Sequence, residues 1–439
     1  MDRRQFLVSS VAAAASTTFA AEPRRIRMAM VGTGERGIDT WGQPVVDGYS
    51  DVVEIVGLCD INSLRAKAAQ DLIGTKAPDY VDFEKMIRET TPDVLVITTM
   101  DAAHWRYIIR GLELGLEVLT EKPMCTDEMQ CQAILDAVKK TGGNLTITFS
   151  ARHSPEAQKI KELLMEKAIG DVISVDSREH LDTSHGASYF RRWHHLKENS
   201  GTLLLTECVH HIDQVNWWLA SNPVEVSAQG DLRVYGRRGA FRSTHCRVCP
   251  FKQQCQFYWD VNERRTDIPD RMNPWYVKLY VNCESEDGYL RDGCLFREDT
   301  NIYDTMSLRA WYENGVIFTH TTNAFLPYEG LATSINGTRG RIDWSRFRGG
   351  GFQSSELRLA RAFGKSELIQ LPPLSRTGGH GGSDSSMKDL VFRHQPENDP
   401  LGLRADVYAG TYATLLGTAG YRSIERGGER VKVSSLVRL

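Results

Sequence analysis

The stretch IRMAMVGTGERG, residues 26–37, decides the fold of this chain. Its first half is a short apolar run, which predicts a buried parallel strand. Gly32, Gly34 and Gly37 then follow at G-x-G-x-x-G spacing and lead into a helix-compatible segment. In that context they allow a tight turn, a close approach of the backbone to a pyrophosphate, and close packing of helix on strand. The loop, Thr33 included, therefore predicts a dinucleotide site at a helix N-terminus.

The second predicted strand, residues 52–59, supports that prediction. It ends in Asp60, about 20 residues beyond the glycines, where dinucleotide-binding units carry an acidic residue. A carboxylate there accepts hydrogen bonds from ribose hydroxyls and repels a 2′-phosphate, so Asp60 favours NAD over NADP. The alternative is that Asp60 only caps the next helix.

Length and composition exclude several classes of protein. At 439 residues the chain is long enough for two or three domains, and 41% hydrophobic with 25% charged residues is typical of a globular protein. The net charge of −3 provides no basic surplus for binding nucleic acid. No apolar run approaches the roughly 20 residues that span a bilayer, so no membrane span is predicted.

The N-terminus has the features of a twin-arginine export signal. Arg3 and Arg4 lie in DRRQFL, and the weakly apolar VSSVAAAASTTFA follows. We therefore expect residues 1–23 to be a signal peptide that engages the twin-arginine machinery, which carries folded proteins, and we expect a periplasmic location. The alternative is a frayed helix with a chance arginine pair.

The first half of the chain alternates strands and helices. Strands are predicted at 92–98, 116–120 and 145–149, and helices at 104–114 and 127–139. This alternation predicts parallel βαβ units, and hence a Rossmann domain over residues 24–149.

The rhythm changes after residue 150. Helices are predicted at 154–167 and 203–219, and longer alternating strands include 171–178, 306–311 and 316–321, with an Asn314-Gly315 hairpin turn. The expected fold class is α/β, with residues 150–439 forming a substrate-binding domain around a large open, mostly antiparallel sheet. The stretch 371–386 is predicted to be a loop.

Lys122 lies in Glu121-Lys122-Pro123, directly after a predicted strand. Open α/β sheets bind ligands at the carboxyl edge of their strands, so Lys122 is well placed to donate a hydrogen bond to a substrate hydroxyl. The alternative is an exposed lysine in a turn.

Taken in order, GTGERG, Asp60, His104 ahead of a helix and Glu121-Lys122-Pro123 resemble the Gfo/Idh/MocA family of NAD(P)-dependent oxidoreductases. The resemblance continues through Arg152, SYFRRWHHLKENSGTLLL, HHID and GGHGGSD, and spans nearly all of residues 24–439. It implies a Rossmann domain followed by an α/β domain whose sheet often serves in oligomerisation, so a homo-oligomer is expected. The cofactor residues that it implies are Gly32, Thr33, Gly34, Gly37, Asp60, His104, Glu121 and Lys122.

The family's catalytic pattern matches this chain only in part. A lysine and a D-x-x-x-H pair hold the substrate carbinol in the family, and Lys122 and His210 match the lysine and the histidine. Thr206 stands where the aspartate is expected, and the adjacent Glu207, or His211, offers compensation. The implied catalytic residues are therefore Lys122, His210 and Glu207.

The residues expected to contact substrate are polar and aromatic, as a sugar with apolar faces and many hydroxyls requires. They are Arg152, Arg192, Trp193, His194, His211 and His380, the last in a loop placed to close over the site.

Nine cysteines fall into two groups. Cys59, Cys125, Cys131 and Cys208 lie in core-like segments and are expected to be buried thiols. Cys246, Cys249 and Cys255 form C-x2-C-P-x4-C in a predicted insertion near 245–295, with Cys294 expected as the fourth partner and Cys283 as the alternative. The spacing fits zinc or an iron–sulfur cluster, and an oxidising periplasm makes disulfides an equal alternative, with free thiols as a third.

These observations predict an exported NAD-dependent oxidoreductase that acts on a ring carbinol of a carbohydrate. One alternative is an NAD-dependent glycoside hydrolase that oxidises, eliminates, hydrates and then reduces its substrate, so that NAD is not consumed. A second is a non-catalytic sugar-binding module.

Overall fold

The computed structural model describes residues 24–262, 273–371, 382–393 and 399–438. The predicted signal peptide and His380 lie outside the described residues. Two sheets organise the chain, and the predicted fold class is confirmed.

The N-terminal sheet has six parallel strands in the order β3-β2-β1-β4-β5-β6, which is the Rossmann order. The strands are β1 (Ile26–Val31), β2 (Val53–Cys59), β3 (Asp79–Tyr80), β4 (Val94–Ile97), β5 (Glu117–Thr120) and β6 (Leu145–Ile147). The helices between them are α1 (Gln43–Gly48), α2 (Ser63–Ile73), α3 (Phe83–Thr90), α4 (His104–Glu113) and α5 (Glu128–Thr141).

The glycine loop after β1 has a backbone that only glycine fits. Gly32 has φ +91°, and a Cβ there would lie 2.5 Å from the carbonyl carbon of Thr98. A Cβ on Gly37 would lie 2.6 Å from the carbonyl oxygen of Gly32. The loop then enters a π-helical turn, Gly37–Gly42, before α1.

The C-terminal sheet has nine strands in the order β14-β13-β12-β11-β7-β10-β9-β8-β15. Its neighbours pair antiparallel except β7 and β10, which are parallel. The strands are β7 (Val172–Asp182), β8 (Pro223–Asp231), β9 (Thr305–Tyr312), β10 (Ile317–Leu326), β11 (Glu329–Gly337), β12 (Gly340–Gly349), β13 (Phe352–Arg361), β14 (Ser366–Leu368) and β15 (Val431–Lys432).

Helices cover one face of this sheet, since burial alternates along β9 and β10 and α10 and α14 pack against the strands. The helices are α6 (Pro155–Met165), α7 (His185–Arg191), α8 (Lys197–Ser200), α9 (Leu203–Thr206), α10 (Val209–Leu219), α11 (Asn273–Leu279), α12 (Glu284–Asp287), α13 (Ser383–Phe392) and α14 (Val407–Glu425). Within the described ranges, no helix is both long and apolar enough to cross a membrane.

Two predicted elements were wrong. The stretch 203–219 is not one helix but α9 and α10, with a break at Glu207 and Cys208. In a continuous helix the N–H of His210 would donate to the carbonyl of Thr206. That carbonyl accepts a hydrogen bond from the ammonium of Lys122, and the His210 N–H donates to the carbonyl of Glu207. Most of the predicted loop 371–386, residues 372–381, lies outside the described residues, and α13 already begins at Ser383.

Candidate active site

The site lies where the carboxyl end of β5 faces the break between α9 and α10. Lys122 Nζ lies 2.6 Å from the carbonyl oxygen of Thr206 and 3.5 Å from a carboxylate oxygen of Glu207. The Lys122–Pro123 peptide is cis. His104 contacts the carbonyls of Pro123 and Thr99 through its two ring nitrogens, at 2.8 and 3.1 Å. His104 therefore braces the loop that carries Lys122.

Glu207 is the anionic partner in this arrangement. Its carboxylate accepts the hydroxyl of Tyr189, and the Lys122–Glu207 pair is largely buried. Burial by itself would raise the pKa of Glu207, but the positive charges of Lys122, His185 and His210 outweigh it and lower the pKa. Glu207 therefore stays ionised and orients Lys122, so it is poorly suited to act as a base.

His210 lies on the first turn of α10 and is 9% exposed. It is close enough to Glu207 for its charge to lower the pKa of the Glu207 carboxyl. The structure thus brings the three predicted catalytic residues, Lys122, Glu207 and His210, into one cluster between the two sheets.

Asp101 is a member of this cluster that the sequence analysis missed. It is 5% exposed and interacts with the Thr206 side chain, and burial raises its pKa to about 6 although His104, Thr206 and Lys122 work against the rise. It therefore supplies a carboxylate beside the position that an aspartate was expected to fill. The sequence could have indicated this position, because Asp101 follows the carboxyl end of β4, and β4 is the neighbour of β5, which precedes Lys122.

An aromatic and basic wall closes another side of the site. Trp193 and His194 stack with ring centroids 3.5 Å apart, and Tyr189 meets His194 edge-on at 5.2 Å. Burial, followed by the charges of Arg192 and Lys122, holds the pKa of His194 well below its usual value, and its Nδ1 has no hydrogen-bond partner in the described residues. A neutral, orphaned ring nitrogen beside stacked rings is suited to binding a hydroxylated ligand.

Two other predicted substrate residues are engaged in buried pairs. Arg152 forms a bidentate ion pair with Asp213, at 2.6 and 2.7 Å, and donates to the carbonyl of Gly402. His211 Nε2 lies 2.8 Å from Glu179 of β7. These contacts fix the helix that carries His210, and substrate contact by Arg152 or His211 stays a prediction.

The residues around the glycine loop fit a dinucleotide. Gly34 is open on its Cβ side, with the Tyr280 hydroxyl as the nearest atom at 3.5 Å, so the backbone is accessible to phosphate. Asp60 is at the end of β2 as predicted, but its two oxygens already accept from Thr33, Asn62 and Arg65. A carboxylate has about four acceptor positions, so ribose must replace one of these donors, such as the Thr33 hydroxyl.

Glu121 acts through the glycine loop. Its carboxylate accepts from Arg36 at 2.8 Å and from the Trp41 indole at 2.9 Å. Arg36 also forms an ion pair with Asp384 of α13, at 3.2 Å. Through Arg36, Glu121 therefore connects the end of β5 to the glycine loop and to the C-terminal part of the chain. Among the predicted cofactor residues, Glu121 is therefore a positioning residue.

Part of the connection between β8 and β9, in residues 276–291, lies against the glycine loop, which the sequence analysis did not predict. The Tyr280 hydroxyl accepts the N–H of Glu35 at 2.9 Å, and Tyr276 and Arg291 hold the Glu35 side chain at 3.1 and 3.3 Å. No local pattern signals these contacts, which join residues more than 240 positions apart.

The same connection contains the predicted cysteine cluster. Cys246, Cys249, Cys255 and Cys294 line one small pocket, here called the cysteine pocket. All nine cysteines lie in described residues and are free thiols, so the disulfide alternative is not present. Cys59, Cys125, Cys131 and Cys208 are buried, as predicted.

Comparison with known proteins agrees with this architecture. The model of the oxidoreductase family with an NAD-binding Rossmann fold, GFO/IDH/MocA, matches residues 26–149, and the model of the GFO/IDH/MocA C-terminal domain matches residues 157–343.

Relatives and solved structures give similar information. YteT of Bacillus subtilis, provisionally described as an oxidoreductase, is 31% identical over 90% of this chain and 94% of its own length. An inositol 2-dehydrogenase/D-chiro-inositol 3-dehydrogenase of Lactiplantibacillus plantarum is 27% identical over 39% of this chain and 46% of its own. A levoglucosan dehydrogenase solved with NADH has a TM-score of 0.67 at 16% identity, covering 93% of this chain and 99% of its own, which shows the shared fold.

Proposed function

Since the chain belongs to the Gfo/Idh/MocA oxidoreductase family, we propose that it oxidises or reduces a ring carbinol of a carbohydrate with NAD, using Lys122 and His210. The observation that carries this proposal is the convergence of Lys122 with Thr206 and Glu207 at the α9–α10 break, beside His210. The stacked Trp193 and His194 support a carbohydrate, and so do the names of the inositol dehydrogenase relative and of the levoglucosan dehydrogenase with the similar fold.

The proposed chemistry assigns a separate task to each side chain. Lys122 donates a hydrogen bond to the carbinol oxygen, and Glu207 pairs with that ammonium and orients it. His210 accepts the hydroxyl proton during oxidation and returns it during reduction, which is the role carried over from the family. NAD, when bound, supplies the acceptor or donor of the hydride. Asp101, ionised above about pH 6, offsets the positive charge that gathers around Lys122.

The test is to purify the full chain, look for bound nicotinamide, and supply free sugars and aryl glycosides in parallel. Net formation of NADH with a free sugar supports the dehydrogenase. Release of the aryl group without net NADH supports the glycoside hydrolase alternative, which uses the same cluster. Tight sugar binding with neither reaction supports the binding module and refutes the enzyme.

Export and assembly are further parts of this proposal. We expect residues 1–23 to direct the folded protein to the periplasm, where a cycle that returns its hydride is advantageous because no NAD pool is at hand. Replacing Arg3 and Arg4 together by lysine should retain the protein in the cytoplasm, and unchanged export would refute the signal. We also expect a homo-oligomer formed through the C-terminal sheet, to be checked by light scattering.

A further inference from the structure

The cysteine pocket is built by two segments that the fold brings together. An antiparallel bridge joins His245 to Gly293. Beside it, the backbone N–H of Cys246 donates to the backbone carbonyl of Asp292 at 2.9 Å, and the N–H of Cys294 donates to the carbonyl of Thr244 at 3.1 Å. In such a ladder Cys246 and Cys294 are diagonal neighbours on the same face. Their side chains therefore enter the pocket from adjacent strands.

The remaining two sulfurs come from tight turns of the same chain segment. The Cys249 N–H donates to the carbonyl of Cys246 at 3.0 Å, and the Cys255 N–H donates to Phe251 at 3.1 Å. Arg247 stabilises the turn that follows Cys246, because its backbone N–H and its guanidinium both donate to the carboxylate of Asp292. The fold thus brings the four cysteines to the lining of one pocket.

A buried cation faces these sulfurs. Arg191 of α7 is 4% exposed, and its guanidinium lies 3.1 Å from Cys246 Sγ, with its other donors on the carbonyls of Gly293 and Phe257. No carboxylate in the described ranges pairs with it. A buried charge without a counter-charge is costly, and a centre ligated by four thiolates would place negative charge beside Arg191.

From these observations we propose that Cys246, Cys249, Cys255 and Cys294 bind a metal centre through four thiolates. Zinc and an iron–sulfur cluster share this ligand chemistry. The proposal is independent of the substrate and of the hydride chemistry. Its consequence is structural, since the centre would hold the β8–β9 connection, which also carries Tyr280 and Arg291 over the glycine loop.

The spread of the sulfurs distinguishes the two centres. A zinc ion with Zn–S of about 2.3 Å holds four sulfurs within about 4 Å of one another. Among the described residues, the group of three ligand atoms mutually within 4.8 Å is Glu179, Cys208 and His320, so no three sulfurs of the pocket are that close. The four sulfurs are therefore spread more widely than tetrahedral zinc holds them, with Phe241, Phe257 and Phe296 around them.

The experiment is metal and acid-labile sulfide analysis of the full chain, purified without oxygen or chelator. About four iron atoms with matching sulfide, or one zinc ion per chain, supports the four-thiolate centre and identifies it. Iron or zinc well below one atom per chain overturns the proposal, as do disulfides among the four cysteines.

Variants and thiol labelling assign the ligands. Cys249→Ser and Cys294→Ser should each lose most of the metal, whereas Cys283→Ser, a buried thiol outside the pocket that donates to Lys278, should retain it. Because a ligand variant can also fail to fold, the wild-type chain is alkylated before and after metal removal. Metal removal should expose these four cysteines, and exposure of a different set overturns the assignment.

Discussion

Replacing Lys122 separates its structural role from its chemical one. Lys122→Met removes the donor to Thr206 and leaves the Glu207 carboxylate, whose side chain is 13% exposed, without its ammonium partner. An unsatisfied group of this kind costs about 1–3 kcal/mol, so we expect the free energy of unfolding to fall by about 3 kcal/mol when the lost bond is included. Adding Glu207→Gln removes the unpaired charge and keeps an acceptor for Tyr189, so about 2 kcal/mol should return.

Turnover should not return with stability. Without the hydrogen-bond donor on the carbinol oxygen, we expect kcat to fall about 10²–10⁴-fold in both the single and the double variant. The assays are chemical denaturation and steady-state kinetics with the substrate found in the sugar panel. The matched control is Lys159→Met, which breaks the more exposed Lys159–Glu162 pair and should change stability by less than about 1 kcal/mol. A double variant that regains activity together with stability would refute the chemical role.

Three further predictions concern the cofactor loop and pH. Asp60→Ala should weaken NAD binding by about tenfold and bring the NAD and NADP affinities together. The control Asp82→Ala, which removes the cap of α3, should change neither the NAD affinity nor the preference for NAD. An unchanged preference for NAD in Asp60→Ala would count against the role of Asp60. Tyr280→Phe should tighten NAD binding by about two- to tenfold, because it frees the Glu35 N–H for phosphate; weaker binding would show that the hydroxyl itself contacts the cofactor. Burial raises the pKa of Asp101 to about 6, so the folded state binds the extra proton and stability falls by about 3 kcal/mol as pH rises from 4 to 7. Asp101→Asn should lack this component in pH-dependent denaturation, and identical pH profiles would contradict the shift.

Patterns confined to a few neighbouring residues were readable without coordinates. The apolar run before Gly32 and the Asn314-Gly315 turn depend on backbone geometry and side-chain periodicity within about ten residues. Five of the six parallel strands, all but the two-residue β3, and the hairpin of β9 with β10 therefore follow from the sequence.

Tertiary contacts decided the rest. Periodicity predicts a continuous helix through residue 207. The ammonium of Lys122, 84 positions earlier, instead donates a hydrogen bond to the carbonyl of Thr206, and the helix is broken at Glu207, whose side chain faces the site. Asp101 lies beside Lys122 because β4 and β5 are neighbours in the sheet.

The same division applies to the cysteines and the cofactor loop. Spacing by itself relates Cys246, Cys249 and Cys255. The predicted fourth partner, Cys294, is confirmed as a lining residue of the pocket, and the bridge at Gly293 places it there. The contact of Tyr280 with Glu35 joins residues 245 positions apart. Local sequence carries the conformational preference of a segment, but the free energy that selects one long-range contact over another comes from burial and charge pairing in the assembled fold.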